Sequence, residues 1–88
     1  MTWSEHCKAV SKGKPGFPAE EVVWDDAVAF AIDWEEEAHS DLCRTTTVGY
    51  LVHETKKAIT LVSVINMTHV AHGIVIPKSG IISRRNLT

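Results

Sequence analysis

The residues of this sequence best suited to bind a ligand are basic and aromatic side chains in its second half. Lysine and arginine bind phosphate, and a tyrosine or histidine ring can stack on a nucleobase. The candidates for a nucleic-acid-binding surface are Lys56, Lys57, Lys78, Arg84, Arg85, His53 and Tyr50. If they cluster on one rim, a ring of subunits multiplies them into a cationic band with salt-dependent affinity for phosphate. The alternative is that the basic residues are ordinary solubilising charge.

A second set of side chains has the types that bind a metal or act as nucleophiles. The two imidazoles of His69-Val-Ala-His72 can share one ion in a turn, but zinc requires three or four converging ligands and no second close pair is present. Cys43 stands beside Arg44, a cation that favours the thiolate, yet no catalytic partner order accompanies it. We therefore expect no metal, no cofactor and no enzymatic activity.

The length and composition fit one small domain. The chain has 88 residues, 44% of them apolar and 23% charged. No apolar run reaches the roughly 18 residues of a membrane span, so we expect a cytoplasmic protein whose two cysteines, Cys7 and Cys43, stay thiols. A chain this short buries only roughly 60 to 65% of its unfolded surface. Because contact between subunits would cover more of it, we expect a homo-oligomer.

The small net charge of −2 conceals a strong division along the chain. Residues 1–44 carry ten acidic and four basic residues, a net charge of −6, whereas residues 45–88 carry one acidic and five basic residues, a net charge of +4. This polarity fits an anionic partner on the basic half, head-to-tail contact between subunits, or an acidic helix lying over a basic sheet.

The elements that would position these side chains begin after an irregular N-terminal segment. Gly13, Pro15, Gly16 and Pro18 interrupt this segment too often for a helix or a central strand. We predict a flexible, loop-like N-terminal arm over residues 1–19 and a single small α+β barrel domain over residues 20–88.

A helical pattern follows the arm. Four apolar residues recur at spacings of four, three and four, which is one helix face: Val23, Ala27, Phe30 and Trp34. In the interpretation that we prefer, Asp25 caps a helix that starts at Asp26, and Val22 to Trp24 form a short strand. The alternative places the start of the helix near Pro18, which suits a first-turn position.

From residue 45 onward the composition changes to β-branched residues separated by turn formers. The predicted strands are Thr45 to Glu54, Ala58 to Met67, Gly73 to Ile76 and Ile81 to Leu87, with turns at Thr55 to Lys57 and at Ser79-Gly80. Gly49 marks a bulge or bend, and Pro77 ends a strand. The predicted fold class is α+β, with one helix packed on a strongly bent four- to five-stranded antiparallel sheet that forms a small barrel.

The sequence from about residue 25 to residue 87 resembles the Sm-like family. In a first block of that family a glycine is followed two residues later by an aliphatic residue, as in Val48-Gly49-Tyr50-Leu51. A second block has an aliphatic residue at each end, and Ile76 and Ile81 match. The resemblance implies a small bent barrel of the Sm-like or SH3-like kind, assembly into a ring and RNA as the ligand.

The inner positions of both blocks differ from the family. Pro77 and Lys78 stand where the family has a basic residue and a glycine. Thr55 and Ile59 or Thr60 stand nearest to the places of the acidic and asparagine residues that bind uridine in the family. The resemblance thus extends to the outer positions of the blocks and not to the uridine-binding residues.

The chain also resembles short phage and prophage proteins without a known function. The shared positions are Val22, Trp24, Asp26, Ala27, residues 48–51, Ile76 to Lys78 and Ile81. We therefore predict a non-catalytic, oligomeric binding or assembly module, Sm-like, of phage origin and with RNA as its ligand. One alternative is a phage-type modulator that binds a basic host protein through the acidic helix Asp33 to Glu37. Another is a metal-assisted enzyme that uses His69 and His72.

Overall fold

The computed structural model of the protein describes residues 1–26 and 43–88. These residues form a small α+β domain with one α-helix and a five-stranded antiparallel sheet. The elements are α1 (Trp3–Ser11), β1 (Ala19–Asp26), β2 (Cys43–Glu54), β3 (Ala58–Ile65), β4 (Val70–Pro77), a 3-10 turn (Lys78–Gly80) and β5 (Ile81–Asn86). The strand order is β4-β3-β2-β1-β5.

Helix α1 overturns the loop prediction for the first part of the chain. Thr2 and Glu5 form a capping box, in which the Thr2 hydroxyl accepts from the Glu5 amide and the Glu5 carboxylate accepts from the Thr2 amide. The proline and glycine cluster that suggested a loop lies beyond the helix, and it begins at Gly13, whose φ is 73°. The prediction was wrong because these residues break the chain only after the helix has ended. The flexibility of residues 1–19 stays a prediction.

Strand β1 confirms the predicted strand at Val22 to Trp24 and extends it to Ala19–Asp26. The alternative helix start near Pro18 is therefore wrong. Glu20, Val22 and Trp24 are buried at alternate positions, which is the pattern of a strand with one face on the core. The prediction that Asp25 caps a helix starting at Asp26 is wrong, because both residues belong to β1 and pair with Arg44 and Cys43 of β2. The rest of the predicted helix, with its acidic end at residues 33–37, lies outside the described residues.

The strand predictions after residue 45 are confirmed, with shifted ends. Strand β2 begins earlier, at Cys43, because β1 pairs with it down to Asp26. Strand β3 ends at Ile65, and β4 begins at Val70 opposite it. The turn between them is fixed by the side-chain carbonyl of Asn66, which accepts from the amides of Thr68 and His69.

The core lies on one face of the bent sheet. Its buried members are Val22, Trp24, Ile59, Leu61 and Ile76, and Leu51, Ile74 and Ile81 pack against them. The β2–β3 register shifts between Leu51 and His53, whereas Gly49 pairs regularly with Glu20. The bulge of β2 therefore lies beyond Gly49. No helix within residues 1–26 and 43–88 has the length and apolarity needed to span a bilayer.

Candidate nucleic-acid interface

Two of the predicted phosphate ligands, Lys56 and Lys57, lie in the turn between β2 and β3. The Thr55 hydroxyl shapes this turn by accepting from the amides of Lys57 and Ala58 at 3.2 and 3.1 Å. Both lysines are exposed, and neither makes an ion pair with any residue of the described part of the chain. The turn thus presents two unneutralised positive charges to solvent.

Lys78 lies beside these lysines in space, although it comes about 20 residues later in the sequence. It begins the 3-10 turn between β4 and β5, and its backbone N–H donates to the Lys57 carbonyl at 2.8 Å. Ile76 and Ile81, on either side of that turn, are held by the core. The packing of these two isoleucines therefore places Lys78 beside the β2–β3 turn.

Lys78 and Arg84 converge on the carboxylate of Glu54. The Lys78 ammonium lies 2.7 Å from Glu54 Oε2, and the Arg84 guanidinium donates to both Glu54 oxygens at 3.2 and 3.3 Å. Arg84 also forms a two-pronged ion pair with Glu20, at 2.7 and 2.8 Å. Glu20 is only 7% exposed. We call Glu20, Glu54, Lys78 and Arg84 the ionic cluster.

The hydrogen bonds of the ionic cluster stabilise the charged forms of its members. Those from Arg84, and then those from Lys78, lower the pKa of the Glu54 carboxyl to about 2. The same interactions with Glu20 and then Glu54 raise the pKa of Arg84 above its ordinary value. Two carboxylates neutralise two cations here, so the ionic cluster carries no net charge toward an anionic ligand.

The remaining three candidates lie apart from the cluster. Arg85 pairs with Glu21 at 3.2 Å on the opposite face of β5, since neighbouring strand residues point to opposite faces. His53 is exposed and makes no hydrogen bond or ion pair with the cluster, although it lines one cavity with Glu54. Tyr50 lines a cavity of about 320 Å³ formed with the N-terminal segment. The fold thus groups Lys56, Lys57, Lys78 and Arg84.

The sequence interpretation missed the two carboxylates of the cluster. Glu20 lies two and four residues before the buried Val22 and Trp24, so the period of a strand places it on the core face. Glu54 is the single acidic residue of the basic half. Both signals are visible in the sequence, but the pairing of Glu20 with a residue 64 positions away is not.

The candidate metal ligands lie on the exposed β3–β4 turn and on β4. His69 Nδ1 lies 2.8 Å from the Thr68 hydroxyl, and His72 adopts a left-handed backbone conformation with φ of 56°. Within the described ranges, 1–26 and 43–88, no three histidine, cysteine or acidic side chains are grouped as metal ligands. Comparison of the chain with protein-family models, curated proteins and solved structures yields no match.

Proposed function

We propose that this protein is a non-catalytic, Sm-like assembly module that associates with copies of itself through strand edges and binds RNA. The observation that carries the proposal is that β4 and β5 are the two edges of the sheet and have a strand neighbour on one side only, within the described residues. Both edges expose apolar side chains, Val70 and Val75 on β4 and Ile82 on β5. Such edges are templates for pairing with another chain.

The barrel part of the proposal is supported by curvature and by the matched blocks. Arg84 of β5 reaches Glu54 at the far end of β2 across the intervening β1. Gly49 of the first block lies where the backbone of β3 approaches closely, and Ile76 and Ile81 of the second block flank the 3-10 turn. A strongly bent sheet with two apolar edges favours closed association over a monomer.

The RNA part is supported by the β2–β3 turn. Lys56 and Lys57 carry charges that no described carboxylate neutralises, and Lys78 lies beside them. In an assembly, each copy would add the same pair to one rim. Binding to single-stranded RNA would then release counterions and depend steeply on salt.

Two measurements test the proposal. Light scattering on the purified chain should give a closed multimer of fixed mass, and a monomer across micromolar concentrations would contradict the assembly. Fluorescence anisotropy with labelled single-stranded RNA should show affinity that falls with salt. The Lys56→Gln/Lys57→Gln variant should flatten the slope of log affinity against log salt by about 1.4, because two phosphate contacts are lost. The matched control, Lys8→Gln/Lys12→Gln, should leave the slope unchanged.

A further inference from the structure

The side chain of His6 is buried where α1 meets the segment that follows it. It is 3% exposed, and its ring stacks on Phe17 with a centroid separation of 4.9 Å. The ring of Trp3 lies 5.5 Å from it. Gly16 leaves room for the imidazole, since a Cβ atom at that position would collide with the ring. A titratable side chain therefore occupies the centre of a small aromatic cluster.

One hydrogen bond fixes the proton on this ring. The backbone N–H of Phe17 donates to His6 Nδ1 at 3.0 Å, so Nδ1 must carry a lone pair and the neutral ring has its proton on Nε2. Nε2 is also buried and has no hydrogen-bond partner in the described part of the chain. The site is thus built for a neutral imidazole.

We propose that His6 is a pH-sensitive latch that holds α1 against the domain and releases it on acidification. A second proton would sit on Nδ1 and point at the Phe17 N–H, so that two buried donors would face each other without an acceptor. The ring would also become a buried cation, and no carboxylate of residues 1–26 or 43–88 lies at hydrogen-bond distance from it. Both effects favour the state in which His6 is in water. Acid therefore shifts the equilibrium toward an undocked helix.

Within the described part of the chain, few charged or titratable groups surround the His6 ring. Lys14, from the segment after α1, and Tyr50, from β2, line the same cavity as His6. Lys14 brings a positive charge to this cavity, which Thr88 lines as well. On α1 itself, Glu5 is committed to the Thr2 amide at 3.1 Å.

Few other hydrogen bonds of the described residues hold α1 against the rest of the domain. Among the described residues, the other side-chain hydrogen bond from α1 to a later part of the chain runs from the Cys7 thiol to the Met67 carbonyl at 3.5 Å. A thiol is a weak donor. Loss of the His6 contact would therefore free the helix, and it would uncover the buried Phe17 and the partly buried Ile65, which line the cavity beside it.

NMR on the intact chain can follow both partners of the hydrogen bond, the His6 ring and the Phe17 amide. The ¹⁵N shifts of the His6 ring report its protonation, and the hydrogen-exchange protection of the Phe17 amide reports docking. Between about pH 8 and about pH 5, the range in which imidazoles titrate, Phe17 protection should fall roughly tenfold or more as the ring becomes protonated. The protection of the Ile59 and Leu61 amides in the core should stay constant.

Two variants separate the latch from other titrating groups. In His6→Asn the side-chain carbonyl takes the place of Nδ1 and does not titrate, so Phe17 protection should no longer depend on pH. His69→Asn removes an exposed imidazole and should keep the full response. The proposal is overturned if Phe17 stays protected while the His6 ring is protonated, a result that needs no variant. It is equally overturned if the response persists in His6→Asn.

Discussion

Arg84 on β5 and Glu54 at the end of β2 are joined by hydrogen bonds of 3.2 and 3.3 Å although the strand pairing sets them far apart. Arg84 pairs with Val22 of β1, which in turn pairs with Thr47 of β2, seven residues before Glu54. In a flat sheet seven residues span about 23 Å, well beyond the reach of two side chains. Strand β2 must therefore turn sharply within this stretch, where its register with β3 also shifts.

The first prediction concerns the partner that Arg84 provides for a buried carboxylate. Replacement of Arg84 by methionine leaves Glu20 buried without a counter-ion, and removal of one partner of a buried pair costs about 3 to 5 kcal/mol. Because the Arg84 side chain is 29% exposed, we expect a smaller loss of unfolding free energy, about 2 kcal/mol or more. Urea unfolding measures it.

The matched control for that prediction is the neighbouring arginine. Arg85 pairs with Glu21 at the surface, so Arg85→Met should cost less than about 0.5 kcal/mol. Equal losses for the two variants would show that the ionic cluster contributes no more than a surface pair.

The second prediction concerns acid. The pKa of Glu54 is lowered from 4.5 to about 2 in the folded protein, so its ion pairs stabilise the fold fully above pH 4.5. This contribution should be lost as the pH falls from about 4.5 to about 2. The difference in urea midpoint between the natural chain and Glu54→Gln should therefore shrink across that window. Glu21→Gln serves as the control, and a difference that is independent of pH would contradict the prediction.

The third prediction concerns the close approach of β3 to β2. A Cβ atom on Gly49 would lie 2.9 Å from the Val62 carbonyl oxygen and 3.2 Å from the Leu61 Cβ. The backbone must shift to accept it, so Gly49→Ala should lower the unfolding free energy by about 1 to 3 kcal/mol. At Gly73 the nearest atom is 3.4 Å away, an ordinary contact. Gly73→Ala should thus be close to neutral, and similar thermal shifts for both variants would argue against the tight contact.

The fourth prediction concerns the left-handed residue in β4. His72 has φ of 56°, a conformation that costs a non-glycine residue about 1 to 2 kcal/mol. Glycine removes this cost, but it raises the conformational entropy of the unfolded chain, which lowers the unfolding free energy by about 0.4 to 1 kcal/mol. We expect His72→Gly to raise the melting temperature slightly and His72→Val, with its branched side chain, to lower it. A higher melting temperature for the valine variant would show that the position is extended in solution.

The sequence predicted the strands of the second half well and the elements of residues 1–26 poorly. Alternating β-branched residues and the turn formers at Thr55 to Lys57 and Ser79-Gly80 act locally, so they appear in the sequence directly. Only the middle of strand β1 was predicted, because Val23 also fits the helical spacing of the apolar residues that follow the strand. Helix α1 has only nine residues, and its clearest sequence signal was the capping box of Thr2 and Glu5.

Only part of the candidate interface could be predicted, because some of its contacts join residues that are far apart in the sequence. The basic residues were visible as residue types, but their neutralisation was not, because Glu20 and Arg84 meet only through the β1–β5 pairing. The convergence of Lys57 and Lys78 likewise depends on how the β2–β3 turn meets the 3-10 turn in space. Long-range register of this kind leaves no trace in the spacing of one sequence.

The pairing of the last strand with the first has a consequence for how this protein is made. Strand β1 lies between β2 and β5, and its partner residues on β5 are about 60 positions later in the chain. During synthesis, the edge of β1 that pairs with β5 therefore has no hydrogen-bonding partner until β5 has left the ribosome. Contacts of such large separation form slowly. The nascent chain should consequently be most prone to aggregation until β5 has emerged, because an incomplete sheet is exposed up to that point.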